Sequence, residues 1–356
     1  MSAGAGRQAK SRPGNFFEDF HPGQEIRHAT PRTITAGDVA LYVGLTGSRF
    51  PLHSSDEFAR SLGLPGAPVD DLLVFHIVFG RTVPDISLNA IANLGYADGR
   101  FLAPVFAGDT LTAHSTVIGV KENSNGQTGV VYVRSTGSNQ HGEPVLDYVR
   151  WVMVRKRDVS APAPAPIIPE LPPAVAAQDL IVPVGLDLHR YDANLAGSPH
   201  RWNDYAPGER IDHVDGMTIE ESCHMIATRL YQNTARVHFN QQAEKAGRFG
   251  RRIVYGGHII TLARALSFNG LGNACRIAAI NAGSHVAPCF AGDTIYAWSM
   301  VLEAAELPGR ADVGALRLRT IAAKDHPCAD YPDKASDGRP HAAVVLDLDY
   351  WVLLPR

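Results

Sequence analysis

The sequence predicts an α+β protein built from two tandem copies of one fold, each a long central helix wrapped by a curved antiparallel sheet. Three observations carry this reading. The octet "APVFAGDT" at Ala103–Thr110 returns as "APCFAGDT" at Ala287–Thr294, 184 residues later in a chain of 356. Each copy follows a segment that is apolar on every face, the mark of a buried helix. Each is followed by β-branched, alternating text of the kind that forms strands.

The elements can be justified in chain order. Residues 1–14, "MSAGAGRQAKSRPG", are polar and lack an apolar stretch, and a disordered tail is expected there. The first domain spans 15–158. Its helix start "TAGD" (Thr35–Asp38) is matched in the second half by "TIEE" (Thr218–Glu221), both with a hydroxyl three residues before an acid. Ile219, Cys223, Ile226 and Leu230 then recur at helical spacing. An irregular stretch holding a histidine follows in each half, His53 and His238, 185 residues apart. The buried helices come next, "LLVFHIVFG" (Leu72–Gly80) and "HIITLARALSF" (His258–Phe268).

The octets follow, with Pro104 and Pro288 expected at strand starts and Gly108-Asp109 and Gly292-Asp293 as turns. Asn125-Gly126 signals a hairpin. "LDYVRWVM" near the end of the first half echoes "LDLDYWVL" at the end of the second. Between the halves, residues 159–185 carry seven prolines and few charges, an extended linker laid over a surface. The second domain spans 186–356.

Composition narrows the function. Charged residues make up 19% and the net charge is −3, so neither nucleic acid nor an anionic membrane is indicated. Four cysteines, all in the second half and without C-x-x-C spacing, support neither disulfides nor zinc. His213, His224, His258 and His285 lack metal-ligand spacing, and no metal is expected. No apolar run approaches the ~18 residues of a membrane span. A cytoplasmic protein forming a homodimer or larger homo-oligomer is expected.

The stretches "LYVGLTGSRFPLHSSDEFA" (Leu41–Ala59) and "GRFGRRIVYGGH" (Gly247–His258), with both octets, resemble the MaoC-like hydratases of the hotdog superfamily in their fused, double-hotdog form. Within that group, "SLNAIANLGYADGRFLAPVFAGDTLTA" and "ENSNGQTGVVYVRSTGSNQHGEPVLDYVRWVMVRKRD" resemble the mesaconyl-CoA hydratases. The resemblance covers nearly the whole chain outside tail and linker. It implies a hydro-lyase of carbon metabolism that interconverts mesaconyl-CoA and β-methylmalyl-CoA, with coenzyme A as part of the substrate and no separate cofactor. The family motif places an aspartate five residues before a histidine. Here Ser48 and Asn233 stand at the aspartate positions, while His53 and His238 are kept.

Hydration of an unsaturated thioester needs a base for water, a proton for the α-carbon and donors for the thioester oxygen. Histidine suits the base, and backbone N–H groups at a helix N-terminus suit the oxygen. The second buried helix opens with "YGGH", Tyr255 to His258, whose Gly256 and Gly257 allow close approach to the backbone. The first opens with Asp70 and Asp71, which would repel an enolate. The second half is therefore the expected catalytic half. His238 is its base, and Asn233 either orients water or serves as a structural cap. His53 is a weaker catalytic candidate or a structural remnant. Asp70 and Asp71 are helix-dipole partners or, in a first-half site, the missing acid for His53.

The free carboxylate of mesaconyl-CoA calls for a cation, ideally arginine. Arg236, two residues before His238, is the first candidate, with Arg229, Arg251 and Arg252 behind it and Tyr255 as a further substrate contact. Arg150, Arg155, Lys156 and Arg157 form a cluster suited to coenzyme A phosphates or to a solvated face. Two other classes stay open: a broader (R)-specific enoyl-CoA hydratase, and a catalytically silent acyl-CoA-binding hotdog protein.

Overall fold

The computed structural model describes residues 10–356. Of the tail expected over 1–14, residues 1–9 lie outside the described residues; the carbonyl of Pro13 accepts a hydrogen bond from Asn89 Nδ2 (3.0 Å). The first half contains strands β1 (Glu25–Arg27), β2 (Arg32–Thr33), β3 (Ala90–Phe101), β4 (Thr110–Glu122), β5 (Thr128–Ser138) and β6 (Pro144–Arg155), with helices α1 (Ala36–Thr46), α2 (Pro51–Ser54), α3 (Asp56–Ser61) and α4 (Asp71–Thr82). The second half contains β7 (Arg210–Asp212), β8 (Met217–Thr218), β9 (Arg276–His285), β10 (Thr294–Leu307), β11 (Arg310–Lys324) and β12 (Val344–Pro355). Its helices are α5 (Ala193–Ala196), α6 (Glu221–Leu230), α7 (Arg236–Phe239), α8 (Gln241–Glu244), α9 (Gly256–Leu266) and α10 (Phe268–Leu271).

The strands form one antiparallel sheet in the order β1-β4-β5-β6-β3-β9-β12-β11-β10-β7. The two halves meet at β3 and β9, where Tyr96 lies opposite Gly283 and Gly99 opposite Ile280. Both central helices are as buried as their sequences require. Every residue of α4 is buried, as is α9 from Gly257 to Leu266. Leu72, Phe75 and Phe79 of α4 share one apolar core with Ile259, Ile260 and Leu262 of α9. Burying each such side chain contributes about 1.5–3 kcal/mol. The helices also touch through polar atoms, His76 Nε2 lying 2.8 Å from Thr261 Oγ1.

The linker is strapped along the sheet. Ile167 N–H donates to Val120 O (2.9 Å), and Trp351 Nε1–H donates to Val175 O (2.9 Å). Two local expectations are corrected. Thr35 caps α1 in a capping box with Asp38, but Thr218 caps nothing. It belongs to β8 and meets Thr294 Oγ1 at 2.8 Å across the strand pair, so α6 starts at Glu221 without a side-chain cap. Pro104 and Pro288 do not start strands; they follow β3 and β9, and the octet is the loop to the next strand. Its turn is as expected: Gly108 and Gly292 take φ of +106° and +97°, and the Asp109 and Asp293 carboxylates accept from the N–H of Phe106 and Phe290.

Candidate active site

A cavity of about 770 Å³ lies between the halves, with Asn233, Arg236, His238, Tyr255, Gly256 and His285 on the second-half side. Tyr96 and Arg150, from β3 and β6, face them. The short helix α7 carries His238, and its ring is fixed by a hydrogen bond from Nδ1 to Ile253 O (3.1 Å). With Nδ1–H donating, Nε2 is left as an acceptor. Burial holds the imidazole at a pKa of about 4, against the opposing pull of the Ile253 carbonyl and with a further push from His224. At neutral pH it is an uncharged base.

Gly256 opens α9, and no side chain caps that end. The first N–H groups of a helix have no intrahelical acceptor and carry the positive end of its dipole. A Cβ on Gly256 would lie 2.5 Å from the His285 ring, and one on Gly257 would lie 2.4 Å from Tyr255. Only glycine fits between these rings and the helix start. His285, the last residue of β9, accepts from or donates to Tyr96 OH through Nε2 (3.2 Å). Burial and neighbouring His238 lower its pKa to about 4. Asn233 is buried, with Oδ1 accepting from Ala235 N–H (3.0 Å), which sets the turn into α7; its side chain also lines the cavity.

The first half repeats this geometry and closes it. His53 Nδ1 meets Pro68 O at 3.0 Å, fifteen residues on, as His238 meets Ile253. Its Nε2, however, faces the Asp71 carboxylate at 3.7 Å. Asp71 also accepts from Ile277 N–H (3.0 Å) and lies 3.5 Å from Arg276 Nη2. Burial raises the Asp71 pKa, opposed by Arg276 and His53. Asp70 caps α4, accepting from Leu72 N–H (2.9 Å) and from Tyr42 OH (3.1 Å). Carboxylates thus occupy the place that Tyr255 and Gly256 leave open in the second half.

Of the four arginines expected as carboxylate partners, Arg236 lines the cavity and Arg229, Arg251 and Arg252 do not. Arg236 is exposed at the cavity mouth. Arg252 points away, pairing with Glu221 and donating to Phe239 O (3.3 Å), because it faces α6 and not the cavity. Arg251 stacks on Phe290, 3.8 Å from the ring centre, and Arg229 lines a separate surface groove. The expected basic cluster divides: Lys156 pairs with Glu122 and Arg157 with Asp19, while fully buried Arg150 and exposed Arg155 both line the cavity. His285 and Tyr96 were not singled out as site residues in the sequence. The available signal was the repeat itself, where His285 immediately precedes Val286 and the octet while Phe101 stands at the matching first-half position.

The chain is similar to known proteins over nearly its whole length. Residues 3–335 match the family model described as mesaconyl-CoA hydratase. The chain is 66% identical to the β-methylmalyl-CoA dehydratase of Chloroflexus aurantiacus, covering 98% of this chain and 99% of that one. It is 62% identical to the mesaconyl-CoA hydratase of Cereibacter sphaeroides, over 98% and 100% of the two chains. Among solved structures, a MaoC domain dehydratase from Chloroflexus aurantiacus superposes with a TM-score of 0.96 at 65% identity, covering 98% and 99%. A double-hotdog protein of Mycobacterium tuberculosis gives 0.75 at 25% identity, covering 97% and 99%. The fold is the double hotdog.

Proposed function

This chain belongs to the mesaconyl-CoA hydratase family, and we propose that it adds water reversibly across the double bond of mesaconyl-CoA to give β-methylmalyl-CoA. One observation carries the assignment to this cavity: the acceptor edge of His238 and the uncapped start of α9 face the same space. The Gly256 and Gly257 N–H groups hold the thioester oxygen and stabilise the enolate. His238 Nε2 takes a proton from water as the hydroxyl joins the β-carbon. The π electrons move to the thioester oxygen. The same imidazolium then returns its proton to the α-carbon, so H and OH are both delivered and the histidine is restored.

Because the histidine itself returns the proton it took, the step closes without a carboxylate at Asn233. Asn233 sets the turn that presents His238. Tyr96, donating to His285 Nε2, leaves His285 Nδ1–H as a donor beside Gly256 that orients the water. No cofactor enters beyond the coenzyme A carried by substrate; a cytoplasmic homo-oligomer belongs to the same reading. Among the described residues no helix is long and apolar enough to cross a membrane. The test is the ultraviolet absorbance of the enoyl thioester with mesaconyl-CoA and crotonyl-CoA side by side. Hydration of mesaconyl-CoA is expected to be the faster; no hydration of either substrate contradicts the reading, and equal rates favour a broader enoyl-CoA hydratase.

A further inference from the structure

Among the described residues three buried arginines, Arg81, Arg150 and Arg264, pair with no carboxylate, and of these Arg150 alone lines the cavity of His238. It is fully buried, yet no carboxylate pairs with it. Its Nη2 donates to Thr82 Oγ1 (2.8 Å), both Nη atoms approach Ser87 Oγ (3.3 and 3.4 Å), and its Nε has no partner. The guanidinium carbon lies 4.3 Å from the centre of the Phe79 ring. Two hydroxyls and an aromatic face cannot neutralise a buried cation, whose charge is costly to keep without a counter-ion. Arg150 is one of the residues that line the cavity holding His238 and His285.

Its position on the sheet brings it to the reacting end. Arg150 lies opposite Tyr96 in the β3–β6 pair, and Tyr96 OH touches His285. Directly opposed side chains on adjacent strands stand about 4.5–5.5 Å apart at Cβ. Asn93, opposite Val152 on the same wall, has a buried side-chain amide with neither Nδ2 nor Oδ1 paired. A bulge between Asn93 and Gly95 sets its direction, a device common beside active sites. The repeat shows that the fold does not require arginine here. In the echoing text "LDLDYWVL", Tyr350 occupies the matching place, fully buried with its hydroxyl 3.1 Å from Thr320 Oγ1. Likewise Ile280 stands where the first half has Tyr96.

We propose that Arg150 and the Asn93 amide form the receptor for a carboxylate on the acyl group, so that the cavity selects dicarboxylic acyl thioesters. Arg150, rather than Arg236, is the specificity-determining cation. Guanidinium matches carboxylate through paired N–H donors, and the unpartnered Nε is one donor ready for it. The inference rests on the reading of this cavity as an acyl-CoA site, and it deepens that reading.

The experiment compares two saturated thioesters, succinyl-CoA and butyryl-CoA, which differ by a carboxylate against a methyl group and cannot be hydrated. Their binding to the full chain is measured by calorimetry. Wild type is expected to favour succinyl-CoA by at least about 30-fold, the factor equivalent to ~2 kcal/mol for a buried charge pair. Arg150→Met should abolish that preference while leaving butyryl-CoA binding and the melting temperature little changed. Asn93→Leu should reduce it by about 10-fold or more, as expected for one hydrogen bond to a charge. Equal loss of both ligands in Arg150→Met makes the residue structural, and an unchanged ratio removes it from the site; either overturns the proposal. Should Arg150→Met fail to fold, Arg150→Lys and Asn93→Leu carry the test, and a ratio unchanged in both overturns it. A wild type that binds succinyl-CoA through Arg150 but hydrates no mesaconyl-CoA sinks the functional reading alone.

Discussion

The N-termini of α4 and α9 are the same place in two copies of one fold, and they have opposite chemistry. Both stand beside a histidine whose Nδ1 is tied to a carbonyl fifteen residues on. At α9 the next groups are Gly256 and Gly257, and backbone N–H is left facing a cavity. At α4 they are Asp70 and Asp71, which cap the helix and bind Arg276 and Ile277 N–H. The difference teaches that duplication let the halves divide the work. The second keeps an open helix terminus with a histidine beside it. The first closes its own terminus and supplies the opposite wall, Tyr96 and Arg150.

This contrast can be broken by substitution. The largest effect is expected at the base. His238→Ala should lower kcat by ~10²–10⁴, the usual worth of a positioned base, while His53→Ala should change it no more than about threefold. Initial rates with mesaconyl-CoA decide the matter, and the reverse order moves catalysis to the first half. Gly256→Ala should cost about 10- to 100-fold in kcat, because its Cβ would fall 2.5 Å from the His285 ring and displace the oxygen-binding N–H groups. Asp71→Asn should do the opposite. It leaves buried Arg276 without its carboxylate and should destabilise the fold by about 3–5 kcal/mol, read by urea unfolding, with kcat nearly unchanged.

A smaller, diagnostic effect lies in the pH profile. In the proposed mechanism His238 acts only when neutral, and its pKa is lowered to about 4. Activity should therefore hold as pH falls through 6.5 and decline only as it approaches 4. An acid limb of kcat/KM centred near 6.5 identifies a different, unburied base.

How much of this was legible in the sequence follows from how local each signal is. The octet, the two all-round apolar helices and "YGGH" are contiguous, and they located both central helices and the open terminus. His238 was legible because it shares one loop with Asn233. The residues that the strands bring to the cavity were not. Tyr96, Arg150 and His285 lie on three strands and meet only because β3 pairs with both β6 and β9, a register no local pattern states. Proximity in sequence favoured Arg236 for the same reason, although the structure leaves it exposed at the mouth. Thr218 misled because hydroxyl-x-x-acid also occurs where a threonine pairs across strands.

The most direct test of the division between the halves is a crystal structure of the His238→Ala chain soaked with mesaconyl-CoA. One thioester per chain is expected, its oxygen within hydrogen-bonding distance of the Gly256 or Gly257 N–H and no acyl group at α4. A thioester seated at the Asp71 end of α4, or at both helix termini, contradicts the account.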